Sequence, residues 1–523
     1  MLTNKKSLLA LSVASTFVLT GCLSDDDDNK VTPPPPPPPV VVVPPEAPAE
    51  ISAVVYGNVV DLENADALSA TVTFFEAGVA SENIVDIDGN VTATIDSEDG
   101  SFVFQLKDGA DLSQVTAVVT SEGYVSKSFV VDLAGIEDGD VSVELGLTSA
   151  STADLAVADP VEATIGEDGT SDTPIEVDVD NNDGATSKVV IPANTVLQDA
   201  NGAPVTGSVS VKVVTAKPGS AAAASIVPQG LNSADSTKVL SPSGVASVEM
   251  VNENGVKVKK FSSPINVEMA VKAGSPASLG LSSQNEDTGV WTAEDQNVTV
   301  TGTTGSFTTD HLTFFAATTE SDVCSTPVRF LLSGDTDAIP ASGLNLRISS
   351  SDVDRTLSGV KENLTLPTAL VSFIGISDTA QTRVRMRDLE GNVWFDSESE
   401  VAICGDVNVA LSAPEVTYQS ESLAIVAQCS NDTDVSVGAS GALVKYNRAG
   451  KSSRIAKGDG AGNYALDNMV DGETYTVNVK YTGTLESIAD ATFTVTADGE
   501  NETRTESLEC DTTTGGTGGT GGN

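Results

Sequence analysis

The sequence predicts an all-β protein, a tandem of β-sandwich modules behind a disordered, Asp- and Pro-rich tether. Three observations carry this. Short alternating runs such as Ala70-Thr71-Val72-Thr73-Phe74 and Ser208-Val209-Ser210-Val211-Lys212-Val213 recur from Ile51 onward. Clusters of Asp, Asn and Gly interrupt them every ~8 to 12 residues, the rhythm that sandwiches of about seven strands leave in sequence. No long stretch holds a helical period, and the one candidate, Ala221 to Ala224, is hemmed in by Gly219 and Pro228.

The chain opens with Lys5 and Lys6, then an apolar run from Leu8 to Leu19, then Leu19-Thr20-Gly21-Cys22. A bilayer-spanning helix needs ~20 apolar residues, so this run is too short to anchor the chain and reads as the h-region of a signal peptide over 1–21. Leu19-Thr20-Gly21-Cys22 resembles the bacterial lipobox, with small residues ahead of the cysteine. The resemblance implies cleavage before Cys22 and lipid on it. An ordinary secretory signal followed by a chance cysteine is the alternative.

Residues 22–49 follow as a tether. Asp25 to Asp28 repel one another, and Pro33 to Pro39 favour the extended polyproline II helix at ~3.1 Å per residue. Such a segment packs no core. In lipoproteins of this kind an Asp after the acylated cysteine marks retention in the inner membrane; Leu23 stands there, which the resemblance implies is compatible with the outer membrane.

The length suggests three or four domains at ~150 residues each. With 27 basic against 74 acidic residues the net charge is −47, a field that repels phosphate backbones and excludes nucleic acid as a partner. The acids are spread along the whole chain, as solubility outside the cell requires, and are not gathered in one block.

Four modules separate, at 50–148, 156–319, 324–413 and 415–511, before a Gly/Thr-rich tail at 512–523. The first contains Gly57-Asn58-Val59-Val60-Asp61, the run Ala70 to Phe74, Asp99-Gly100-Ser101-Phe102 and Gly123-Tyr124. Asp-Gly supplies the positive φ of a tight hairpin, and the aromatic after it enters the core. In this order the motifs resemble the carboxypeptidase regulatory-like, or transthyretin-like, sandwich.

The fourth module repeats part of the pattern in Gly460-Ala461-Gly462-Asn463-Tyr464. Its segment Gly472 to Val479 looks like that family's closing strand, with Tyr475, Val477 and Val479 on one face; no Gly-x-Val-x-Asp opening precedes Cys429. The second, with Val189-Val190-Ile191-Pro192 and Pro264-Ile265-Asn266-Val267-Glu268, is distantly similar to ZU5 domains. The third carries no family motif and reads as a β-sandwich only, within the Ig-like or transthyretin-like class expected of the tandem.

With Cys22 assigned to lipid, Cys324, Cys404, Cys429 and Cys510 remain. Four cysteines allow three connectivities, and export permits disulfides. The spans 324 to 404 and 429 to 510 are nearly equal, which favours pairing within each module. No Cys-x-x-Cys spacing suits zinc.

His311 is the only histidine, so no His pair can hold a catalytic zinc, and the peptidase chemistry in the family's name is excluded. In Thr309-Asp310-His311-Leu312-Thr313-Phe314-Phe315 it reads as a strand residue, and no nucleophile is indicated. Trp291 and Trp394 are expected as core anchors and not as sugar platforms. Asp178-x-Asp180-x-Asn182-Asp183-Gly184 places oxygens at alternate positions, as calcium requires, although Asp183 replaces the turn glycine of an EF-hand and Val189 its bidentate Glu; a plain Asp/Asn turn is the other reading. Lys107 and Lys127 are not in the opening strand, so no isopeptide bond is expected in the first module.

The expected protein is a non-enzymatic, lipid-anchored envelope component presenting a rod of sandwiches for structure, adhesion or assembly. Its implied partners are the membrane, through the N-terminal lipid, and envelope proteins or polysaccharide. No cofactor is implied apart from calcium at Asp178, Asp180 and Asn182. A surface lipoprotein that binds polysaccharide or peptide is the alternative.

Overall fold

Strict alternation of burial shows how composition becomes strand. In Ile175–Asp180 the residues Ile175, Val177 and Val179 are buried while Glu176, Asp178 and Asp180 face solvent, the period of two that a half-buried strand demands. A computed structural model describes residues 40–51, 54–76, 79–133, 136, 141–229, 231, 233, 235, 237–285 and 290–514. The signal segment, Cys22 and the tether through Pro39 lie outside the described residues, as does the tail beyond Thr514. The fold is all-β, with two short α-helices, Ala221–Ile226 and Thr368–Ile374, among the described residues.

One connectivity serves three of the four modules. In the first, the opening strand Val55–Asp61 lies parallel to the closing strand Val141–Leu147 and antiparallel to Ser101–Leu106. Its second sheet runs in the order Val79–Ala80, Ala70–Glu76, Gln114–Thr120, Lys127–Asp132. The third module pairs Arg329–Gly334 parallel with Asp406–Leu411. Its second sheet runs Asp354–Val360, Leu344–Ser349, Gln381–Arg387, Val393–Asp396. The fourth pairs Tyr418–Cys429 parallel with Glu502–Leu508, and its second sheet runs Arg454–Ile455, Leu443–Asn447, Thr474–Lys480, Ala491–Thr496.

One expectation is corrected here. Thr474–Lys480 is not the closing strand of the fourth module: it sits between Leu443–Asn447 and Ala491–Thr496, and Glu502–Leu508 closes the sandwich. Its opening strand is Tyr418–Cys429 itself, and the cysteine is that strand's last residue.

Parallel pairing explains the cysteine geometry. Because opening and closing strands are neighbours, residues just before both, or at the ends of both, meet. Cys324 and Cys404 precede the parallel pair of the third module and are bonded, with Cα atoms 5.6 Å apart. Cys429 ends the opening strand of the fourth, Cys510 follows the closing strand's last residue, Leu508, by two, and the cysteines are bonded, with Cα atoms 5.3 Å apart.

The core of the first module is aromatic. Phe74 meets Phe104 edge-on at 4.8 Å and Phe102 at 5.8 Å, and all three are buried. Phe102 follows Gly100, whose φ of 76° makes the hairpin turn. A Cβ at Gly57 would lie 2.2 Å from the Phe102 ring, which is why the opening strand carries glycine opposite that aromatic. Truncating a ring here should cost ~3–5 kcal/mol.

The second module is a thirteen-stranded sheet whose pairings are all antiparallel. Its long strands, Lys238–Asn252 and Lys260–Ala270 among them, bury Val248, Met250, Ile265, Val267 and Met269 in one core. The short helix Ala221–Ile226 is capped by Ser220, whose hydroxyl accepts from the Ala223 N–H at 3.2 Å.

The rod, in which each module would meet only its chain neighbours, is also corrected. The first module touches all three others. Lys127 Nζ donates to Ser225 O of the second at 2.6 Å, Arg347 Nη1 of the third donates to Leu62 O at 2.7 Å, and Asn58 exchanges two hydrogen bonds with Ser453 of the fourth, at 3.1 and 2.8 Å.

The end of the tether is likewise not free. Pro48 O accepts from Ser440 Oγ at 2.6 Å and Glu46 O from Thr484 Oγ1 at 2.7 Å, so its last residues lie along the fourth module. Val42–Asp511 is one compact unit; the described chain ends beyond it belong to a two-stranded sheet of Val40–Val43 with Asp511–Thr514.

Candidate functional site: an Asx turn and the module junction built on it

One hairpin tip occurs six times among the described residues. In each, an Asp or Asn at position i accepts through one side-chain oxygen from the N–H groups at i+2 and i+4, and its own N–H donates to the i+4 carbonyl. A glycine of positive φ stands at i+3. The six residues are Asp86, Asn181, Asp199, Asn252, Asp388 and Asp459, followed by Gly89, Gly184, Gly202, Gly255, Gly391 and Gly462. The short polar side chain supplies a ready local acceptor, and glycine takes the left-handed conformation without strain.

This places the candidate calcium ligands. Asp178 and Asp180 are exposed on the strand leading into the Asn181 turn, with Asp178 opposite Lys188. Asp180 Oδ1 accepts from the Asn182 N–H at 2.7 Å, and Asn182 has a φ of 59°. The oxygen pattern belongs to the same turn seen five times elsewhere. Among the described residues no group of three or more His, Cys, Asp and Glu side chains is placed to hold a metal.

The Asp388 turn is the exception among the six because it is buried. Its Oδ1 makes the turn, while Oδ2 accepts from Tyr418 OH at 2.6 Å, Trp394 Nε1 at 3.0 Å and the Asn392 amide at 3.2 Å. The tip residue Glu390 then enters the fourth module. Its Oε1 accepts from Arg454 Nη2 at 2.7 Å and Tyr475 OH at 2.9 Å, and its Oε2 from Arg448 Nε at 2.9 Å. Arg454 also stands over the rings of Tyr446 and Tyr475 at 5.8 and 5.9 Å, so cation–π contact adds to the ion pair. Burial first, then the Glu390 charge, pushes the Tyr475 hydroxyl up to about 12.

The junction of the first and third modules is also polar. Glu144 on the closing strand Val141–Leu147 accepts from the Asn345 amide and faces Arg347 and Arg387. Burial outweighs these partners and pushes its carboxyl up to about 7. Arg347 forks onto Asp354, with Nε and Nη2 at 3.2 and 2.6 Å from the two oxygens.

Trp394 is a buried core anchor, as expected, and its indole N–H reaches Asp388. Trp291 is only half-buried: it packs edge-on against Phe314 and donates to Gln229 O at 3.1 Å, fastening the link that follows Ala221–Ile226. His311 Nε2 lies 3.5 Å from Glu294 Oε1, and the buried Ser283 hydroxyl donates to that same carboxylate. Glu294 therefore stands between the serine and the imidazole, and the nucleophile-to-base contact of an acyl-transfer site is not made. Lys127 is buried, with Nζ on a backbone carbonyl and over the Phe129 ring at 5.4 Å.

Asp388, Glu390, Arg454 and Glu144 were not singled out from the sequence. Charged residues at alternate strand positions or in a turn read as solvent-facing, and only the Asp-x-x-Gly-Asn-x-Trp spacing at 388–394, which puts an aromatic beside a turn, hints otherwise.

No known protein family and no curated protein matches the chain. Among solved structures it is similar to the minor pilin GBS52 of Streptococcus agalactiae, at 11% identity over 36% of this chain and 97% of that one, with a TM-score of 0.18. It is also similar to the major pilin subunit BcpA of Bacillus cereus, at 11% identity over 88% and 99%, TM-score 0.12. The major pilin RrgB of Streptococcus pneumoniae gives 9% identity over 87% and 99%, TM-score 0.15. No helix among the described residues is long and apolar enough to cross a membrane.

Proposed function

We propose that the chain is a non-enzymatic, lipid-anchored protein of the bacterial cell envelope, presenting interlocked β-sandwich modules for structure, adhesion or assembly. The pair of disulfides carries the reading. Each joins the opening and closing regions of one sandwich, and such bridges form and persist outside the reducing cytosol. The charged and apolar start ending in Leu19-Thr20-Gly21-Cys22 would send the chain there, and Leu23 suits the outer membrane. Mutually locked modules would display their outer faces in a fixed relation.

Replacing Cys22 with Ser tests the anchor. The variant should leave the membrane fraction and lose labelling by radioactive fatty acid; unchanged membrane association would overturn the assignment.

A ligand-binding role for polysaccharide is supported by a different feature, an open cleft of about 540 Å³ at one end of the first module. Ser69, Thr71, Asp96, Glu98, Ser121 and Glu122 line it, hydroxyls and carboxylates of the kind that bond sugar hydroxyl groups. A glycan array probed with the soluble fragment separates the two: saturable binding to one glycan class selects the second role, and an empty array leaves the first.

A further inference from the structure

The fourth module is shaped to hold a segment that precedes the first. Pro48 is buried against it, with its carbonyl on Ser440 Oγ at 2.6 Å and the Glu46 carbonyl on Thr484 Oγ1 at 2.7 Å. Val42 packs against the core of the same module. Gly441 has no positive φ, so no turn demands a glycine there. A Cβ at that position would stand 2.7 Å from both Pro48 Cβ and Ala49 O, and the missing side chain is the space that this strap, residues 42–50, occupies. Thr482 Oγ1 donates to Gly441 O at 2.6 Å and ties together the two loops that flank Pro48. Ahead of the strap, Val40–Val43 pairs with Asp511–Thr514, the strand that follows Cys510 of the fourth module.

The strap moves the point from which the chain leads back to Cys22. Counted to the first strand of the first module, at Val55, that stretch is about 33 residues, a reach of about 100 Å at the ~3.1 Å per residue of polyproline II. Counted to Val42, where the fourth module takes hold, it is about 20 residues and about 60 Å. The difference of about 40 Å exceeds the breadth of a 100-residue module, whose radius of gyration is ~13 Å. The module that grips the strap is therefore the one nearest the N-terminal anchor, and not the module that comes next in sequence.

We infer that the fourth module is the one that faces the lipid surface, held there by the strap, with the first module farther off. The inference rests on the lipid reading of Cys22 for the identity of that surface; the grip of the fourth module on residues 42–50 does not depend on it.

Energy transfer to a bilayer provides the test. The mature chain is held by a histidine tag in place of Cys22 on vesicles of phosphatidylcholine and nickel-chelating lipid, so the outcome does not depend on acylation. Phosphatidylcholine is neutral overall, so the net charge of −47 does not bias it. A donor dye sits on the fourth module through Ser487→Cys or on the first through Glu122→Cys, both exposed positions, and acceptor dyes sit on the lipid headgroups. Transfer from position 487 should be the greater. In Gly441→Val, whose added side chain displaces Pro48, it should fall to the level seen from position 122. Equal transfer from the two positions with the strap intact, or a difference that Gly441→Val leaves unchanged, would overturn the inference. If Gly441→Val does not fold, Ser440→Ala combined with Thr484→Ala removes the strap's hydrogen bonds without adding bulk and decides in the same way. Lipid on Cys22 is read separately by fatty-acid labelling, so a failed anchor and a failed strap are told apart.

Discussion

Glu390 of the third module and Arg454 of the fourth are bonded at 2.7 Å, with side-chain exposures of 0% and 6%. Removing one partner of such a pair leaves the other charged in a low-dielectric interior. Glu390→Ala should destabilise the chain by ~3–5 kcal/mol in chemical denaturation, whereas replacing both residues with leucine should cost less than either single change. Calorimetry should also show the third and fourth modules separating into distinct transitions in the single variant. A loss below about 1 kcal/mol, with one transition kept, would show that the pair does not couple the modules.

Glu144 gives the pH dependence of the junction between the first and third modules. Its folded pKa, about 7, lies above the ordinary glutamate value of 4.5, so the folded state favours the protonated form. The stability this contributes is present below pH 4.5 and is lost as pH rises through 7. Glu144→Gln keeps the neutral shape, so the variant should match the wild type at pH 4.5 and exceed it by about 1–2 kcal/mol at pH 8. Parallel stability curves for the two proteins across that range would sink the assignment.

The disulfides are tested by reduction. Closing a loop of 80 or 81 residues restricts the unfolded chain, so reducing either bond should cost its module ~2–4 kcal/mol. Peptide mapping without reductant should recover Cys324 with Cys404 and Cys429 with Cys510. A linked peptide pair joining Cys404 to Cys429 would contradict the fold.

Asn181 and Asp199 organise the same turn, but the Asn181 amide also donates to Ala153 O and Leu155 O, so Asn181→Ala should lose about 2 kcal/mol against about 1 kcal/mol for Asp199→Ala. The Asn181→Ala loss should be the same with and without millimolar calcium. A melting temperature that rises saturably with calcium, and fails to rise in Asp180→Ala, would instead mark an ion bound at Asp178, Asp180 and Asn182.

Local physics was legible in the chain and non-local physics was not. Alternation and Asp-Gly turns announce strands such as Ala70–Glu76 and the hairpin into Phe102, because both signals are confined to a few neighbouring residues. The parallel pairing of Arg329–Gly334 with Asp406–Leu411 joins segments far apart in sequence, and no short motif encodes it. That is why the third module had no visible kinship to the first and fourth although it shares their connectivity. The module junctions were hidden for a related reason. Glu144 and Arg347 occupy positions where a charge ordinarily signals solvent, and only contact with another module changes that meaning.

The parallel closing strands bear on how the chain would respond to being pulled. Tension applied along the backbone would enter a sandwich at the start of its first strand and leave at the far end of its last, loading the hydrogen bonds between them in shear and all together. In the third and fourth modules the sulfur bridge offers a shorter route. Load would pass from Cys324 to Cys404, or from Cys429 to Cys510, and bypass 80 or 81 residues of chain that could otherwise pay out. A tethered molecule built this way would stretch little under drag, and most of the length it could yield would lie in its first two modules.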